Sequence, residues 1–148
     1  MSTRQYILLV VSLFLSIATA YPDNFPSDEF EIIQKQIQYI YDGDTFYLVC
    51  DNCNKGQLGV RIMGVDTAEL RGKCSAEIKL AKQAKKFSVQ LLRNANKILI
   101  QPNKSRRYDR YGRLLAWVNI DGLDLGQALI SNDLGRMYQG GKRQTWCD

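Results

Sequence analysis

Residues Asp42 to Asp66, DGDTFYLVCDNCNKGQLGVRIMGVD, decide the fold. Thr45 to Cys50 (TFYLVC) gathers β-branched and aromatic residues into a strand signal, and Gly59 to Val65 reads as another strand. Asp42-Gly43, ahead of the first, is a hairpin turn signal, and Asp51 to Gly56 between the two is polar and turn-like. Upstream, Phe30 to Tyr41 is rich in Ile and Tyr with partial alternation, so three sequential strands form a meander. Downstream, a long helix is predicted from about Ala76 to Asn94, with Ser75 as its N-cap and Leu80, Ala84, Phe87 and Leu91 at helical spacing. Lys79, Lys82, Lys86 and Arg93 fall on its other face. Lys97 to Gln101 and Arg113 to Ile120 complete the strands, and a shorter helix is predicted over Asp124 to Ser131. The expectation is a mainly β, α+β protein: a five-stranded Greek-key OB-fold barrel with an inserted long helix and one or two short helices.

Length and composition agree with one soluble domain. The chain has 148 residues, 45% hydrophobic and 24% charged, and shows no internal repeat, low-complexity tract or linker. Its first twenty residues read as a secretory signal peptide: Arg4 precedes the apolar run Ile7 to Leu15, and Ala18-Thr19-Ala20 offers a small-residue cleavage site. That run is shorter than the roughly 20 residues a membrane-spanning helix needs. Residues 1–20 are therefore expected to leave, 21–148 to form a single domain, and the product to be exported, periplasmic or secreted, with no membrane attachment and as a monomer. Arg4 is the only charged residue in the leader, so 19 of the 20 Lys and Arg remain against 15 Asp and Glu, a net charge of +4. A positive balance suits a polyanionic partner, although it also serves plain solubility.

In an exported protein the even set Cys50, Cys53, Cys74 and Cys147 points to disulfides. Four cysteines allow three pairings. Cys50 and Cys53 lie in one short turn and suit a local bridge, which leaves Cys74 to tie the start of the long helix to the tail at Cys147. The latter would close a long loop and contribute on the order of 4 kcal/mol in the chain-entropy model. A Cys₄ zinc site is the alternative, since C-x-x-C is half of such a motif.

Three short motifs carry the chemistry: Asp42-Gly43-Asp44-Thr45, RIMGVDTAE from Arg61 to Glu69, and Asp109-Arg110-Tyr111-Gly112-Arg113. Asp44 and Asp66 supply the hard oxygen ligands of a Ca²⁺-type cation, and Glu69 is a candidate base. Arg61 and Arg113 carry planar donor forks that match phosphate oxygens. The chain has no histidine, so acid–base work falls to carboxylate, tyrosine, lysine or metal-bound water. Lys104, Arg106, Arg107, Arg110 and Arg113 alternate with Tyr108 and Tyr111, setting cations for phosphates beside aromatic faces for bases. Asp42 and Gly43 read as turn chemistry, Asp109 as a brace for the Tyr111-Gly112 turn, and Thr45 as a strand residue.

In this order, with a lysine-rich helix between the second and third, the motifs closely resemble those of the staphylococcal nuclease-like thermonucleases, over about Ile33 to Tyr138. The resemblance implies an OB-fold, Ca²⁺-dependent phosphodiesterase cleaving DNA and RNA. It implies calcium carboxylates at Asp44 and Asp66, a backbone carbonyl ligand at Thr67 and a water-activating acid at Glu69. It further implies phosphate-clamping arginines at Arg61 and Arg113, and contacts to a neighbouring phosphate from Arg110 and Tyr111. Ala68 departs from the family's proline and Arg110 from its lysine, while the tail from Tyr138 to Cys147 resembles small exported Gram-negative members. Two alternatives stand beside a nuclease: a non-catalytic nucleic-acid-binding OB module, and a disulfide-stapled exported adaptor for another polyanion.

Overall fold

A computed structural model of the chain describes residues 28–147, so the expected signal peptide lies outside the described residues. The elements are β1 (Phe30–Ile32), β2 (Ile37–Ile40), β3 (Thr45–Val49), β4 (Gln57–Ile62), β5 (Gly64–Asp66), α1 (Ser75–Asn94), β6 (Ile98–Pro102), β7 (Leu114–Ile120), β8 (Leu123–Asp124), α2 (Leu125–Ser131) and β9 (Arg136–Tyr138). Seven strands form one sheet in the order β1-β6-β7-β4-β3-β2, with β8 on β7, and β5 pairs β9 in a separate ribbon. Every pairing is antiparallel except β4 with β7.

The class is α+β, but the five-strand count is corrected. The expected first strand is two, because a tight turn at Gln34–Gln36, closed by Gln36 N–H on the Ile33 carbonyl (3.0 Å), separates β1 from β2. The expected third strand also breaks, at Met63 and Gly64, where Gly64 takes φ +79° and β5 leaves the main sheet. Among the described residues β1 and β2 do not pair, so the sheet is not a closed barrel. Only residues 33–36 join its two end strands, so the ribbon curls to bring its ends together.

Alternation places Phe46 and Leu48 of β3, Leu58, Val60 and Ile62 of β4, Ile98 and Ile100 of β6, and Leu114, Ala116, Val118 and Ile120 of β7 in one core. Thr45 and Arg61 lie on the other face of β3 and β4, directly opposite each other in register. That second face carries the site.

Helix α1 starts at Ser75, so Cys74 and not Ser75 takes the N-cap position, with no side-chain cap. Its fully buried stripe is Glu77, Ala81, Ala84, Ser88 and Leu92, with Phe87 and Leu91 only partly buried. Small residues face inward because the helix packs onto the Asp42-Gly43 turn. A Cβ at Gly43 would meet Ala84 Cβ at 2.7 Å and Thr67 Cγ2 at 2.8 Å, and Ser88 Oγ donates to the Gly43 carbonyl at 2.6 Å. Gly43 is thus a close-approach residue as well as a turn residue. Asp124 caps α2 by accepting from Gln127 N–H at 2.8 Å.

Cys50 bonds Cys53 and Cys74 bonds Cys147, which removes the zinc alternative because no thiolate remains. Among the described residues no helix is long and apolar enough to cross a membrane.

Candidate active site

Arg61 organises the site. Its side chain is buried, Nη1 donates to the Ile62 carbonyl (2.5 Å), and Nη2 lies 3.2 Å from Asp44 Oδ2 and 3.4 Å from Asp66 Oδ1. Asp44 precedes β3 and Asp66 ends β5, so one guanidinium on β4 spans carboxylates from both neighbouring segments. Burial of such charges is tolerable only when they are paired and hydrogen-bonded. Asp44 meets that condition: its Oδ2 accepts from Thr67 N–H (2.8 Å) and Thr67 Oγ1 (3.0 Å), and its Oδ1 from Thr45 Oγ1 (3.0 Å). Thr67 therefore bonds Asp44 through its amide and hydroxyl.

Arg113 arrives from the loop before β7, which the parallel β4–β7 pairing brings beside Arg61. Asp109 aims it. One Asp109 oxygen accepts from the backbone N–H of Tyr111 (2.8 Å) and Arg113 (3.0 Å), the other from Arg113 Nε (2.7 Å), and Gly112 supplies φ +77° for the turn. Arg113 Nη1 donates to Thr45 Oγ1 at 3.3 Å, so Thr45 links it to Asp44. Thr45 was legible only as a strand residue. Arg110 and Tyr111 stand at the rim, exposed, with Arg110 Nη2 donating to the Tyr111 hydroxyl (2.6 Å) and its guanidinium 4.8 Å from the ring.

Glu69 is half-exposed and faces Arg143, a residue that sequence reading did not assign to the site. Arg143 Nε lies 2.9 Å from Asp66 Oδ1, and its Nη1 is paired with Glu69 Oε1. Burial raises the Asp66 carboxyl above its ordinary range; Arg143 opposes that rise, Asp44 adds to it and Arg61 opposes it. A cleft of about 760 Å³ opens over Arg61, Glu69, Arg110, Tyr111, Arg113 and Arg143. Of the five side chains singled out for chemistry, Arg61, Glu69 and Arg113 line this cleft, and Asp44 and Asp66 adjoin it through their contacts to Arg61.

Asp42 is buried beside this cluster. Burial, then the Asp44 charge, push its carboxyl from 3.8 up to about 7, although Asp44 N–H donates to it at 3.1 Å. The unfolded chain releases this proton near 3.8, so the folded state loses stability as pH rises from about 4 to 7. Asp42→Asn keeps the acceptor and abolishes the titration. In EDTA, its urea stability should match the parent's near pH 4 and exceed it by an order of a few kcal/mol at pH 8. An equal gap at both pH values would contradict this.

The donor set fits a hard divalent cation: two carboxylates meet at Arg61, Thr67 adjoins both, and the described residues offer no histidine and no free thiol as a softer ligand. Two carboxylates alone underfill a Ca²⁺ shell, so water and phosphate oxygens would complete it.

A family model described as staphylococcal nuclease homologue matches residues 59–146. Endonuclease YncB of Bacillus subtilis (strain 168) is 30% identical over 107 residues, covering 72% of this chain and 49% of the relative. The SPbeta prophage-derived endonuclease YokF of the same organism is also 30% identical over 107 residues, covering 35% of that relative. The chain thus spans about half of the first and a third of the second.

Proposed function

This chain belongs to the staphylococcal nuclease homologue family, and on that premise we propose that it is an exported, Ca²⁺-dependent nuclease hydrolysing phosphodiester bonds in DNA and RNA. The supporting observation is the span of Arg61 across Asp44 and Asp66, with Arg113 tied to the same Asp44 through Thr45. Both similar relatives bear the name endonuclease, and both disulfides accord with an oxidising compartment. We read the curled, open sheet as OB-like and residues 21–148 as one monomeric domain after loss of a signal peptide.

Asp44, Asp66 and the Thr67 carbonyl hold the metal in this reading. Ca²⁺ when bound supplies electrostatic activation of a phosphoryl oxygen. Glu69 orients a water and takes its proton. Arg61 and Arg113 hold the excess negative charge of the five-coordinate transition state, and being fixed beforehand by Asp109 and by the buried acids they need little reorganisation. Arg110 and Tyr111, at the rim, take a neighbouring phosphate. Ala68 in place of proline leaves every chemical group of the loop intact, and Arg110 keeps its charge with a different donor geometry.

The purified chain should shorten defined single-stranded DNA and RNA with Ca²⁺, and leave both at full length in EDTA, as read by denaturing gels over hours. Tight binding of uncut substrate in Ca²⁺ would return the chain to the binding-module alternative. Binding that survives chelation, with no preference for nucleotides over other polyanions, would favour the adaptor.

A further inference from the structure

The C-terminal arm puts an additional cation into the acidic site, and nothing in the three motifs accounts for it. After β9, Gly140 and Gly141 take φ +101° and +89° and turn the chain back, with the Gly141 carbonyl accepting from the Tyr138 hydroxyl at 2.8 Å. Arg136 then fixes the arm from below: its Nη1 donates to the Thr145 carbonyl (2.7 Å) and its guanidinium lies 3.8 Å from the Trp146 ring centre. Asp66 pairs with Arg136 in the β5–β9 register, and Cys147 is bonded to Cys74. Both ends of the arm are therefore tied to the segment that carries Asp66 and Glu69.

Between these anchors Arg143 bridges Asp66 and Glu69. Asp66 Oδ1 already faces Arg61, so the oxygen a metal would need meets two guanidinium groups. The two differ in freedom: the Arg61 side chain is 6% exposed and the Arg143 side chain 37%. Arg61 is locked in, whereas Arg143 has an open path to the cleft. Asp44, Asp66 and Glu69 against Arg61 and Arg143 leave one net negative charge for an incoming divalent cation, and two once Arg143 withdraws.

We infer that Arg143 is a positioning residue of this site, a resident cation delivered by the disulfide-anchored arm that holds Asp66 and Glu69 in place and is displaced when a divalent metal enters. This rests on the metal reading of Asp44 and Asp66. Displacement frees the Arg143 fork beside the same cleft that receives the phosphate, while the disulfide keeps the arm from drifting away.

The test is cation affinity, read by sensitised Tb³⁺ luminescence and by Ca²⁺ competition, with Trp146, packed on Arg136 across from Asp66, as the nearby sensitiser. Arg143→Gln should tighten Ca²⁺ binding roughly tenfold or more, the scale of one charge-assisted hydrogen bond, while Arg143→Lys stays nearer the parent. The Cys74→Ser/Cys147→Ser double variant, with Arg143 present but its arm released, should shift the same way. A merely structural Arg143 would leave cation affinity unchanged or weakened in Arg143→Gln, and that overturns the inference. Unchanged affinity in the double variant would overturn the arm's part in holding Arg143. A parent that takes up neither cation would instead overturn the metal reading, and this inference with it.

Discussion

Glu69→Gln should lower turnover on single-stranded DNA by roughly 10²- to 10⁴-fold, the usual contribution of a positioned general base. Glutamine keeps the size of the side chain and an acceptor for Arg143, so the substitution removes proton acceptance and little else. Because Glu69 is half-exposed, its loss leaves no buried group unpaired, and the melting temperature should hold within a few degrees. Binding of substrate measured in EDTA should persist and stay steeply salt-dependent, since it comes from the basic surface. Turnover within twofold of the parent would remove Glu69 from the mechanism.

Arg113→Gln should reduce kcat by roughly 10²- to 10³-fold, as for loss of one preorganised oxyanion donor. Two backbone N–H groups still hold one Asp109 oxygen, but the other loses its Arg113 partner, so the stability cost should be about 1–3 kcal/mol. Arg61 is a less clean probe. It is the buried cation between Asp44 and Asp66, and removing one partner of such a buried pair costs about 3–5 kcal/mol of stability, mixing unfolding with lost rate. Saturating kinetics with a urea midpoint on the same Arg113→Gln sample separate rate from fold. An unchanged kcat with a raised KM would recast Arg113 as a ground-state binder.

Strong local signals made much of this legible beforehand. β3 and β7 follow from runs of β-branched, aromatic and other apolar residues, and a short helix is expected over α2, whereas the Asp124 cap and the register that sets Thr45 opposite Arg61 are seen only in the structure. The buried stripe runs through Ala81, Ser88 and Leu92 in place of Leu80, Phe87 and Leu91, sharing Ala84, because hydrophobicity favours the large residues whereas close approach to Gly43 needs the small Ala84 and Ser88. The splits at Ile33–Gln36 and at Gly64 are turns inside apolar runs, where periodicity says strand and one left-handed glycine says otherwise. Thr45 hid because a strand threonine and a threonine joining Asp44 to Arg113 look alike in sequence. Arg143 hid because it lies 74 residues beyond Glu69 in a polar tail. The one signal for it was the pairing of Cys74 with Cys147, which returns that tail to the helix start just after the second motif.

If the acids and the arginine forks grip one scissile linkage, Glu69 and Arg113 must be coupled although they lie on separate loops. The deciding measurement is kcat for the Glu69→Gln/Arg113→Gln double variant beside both single variants, with Ca²⁺ and single-stranded DNA. A shared transition state predicts a double loss far smaller than the product of the single losses. Losses that simply multiply would place the two residues in independent roles and contradict a single site.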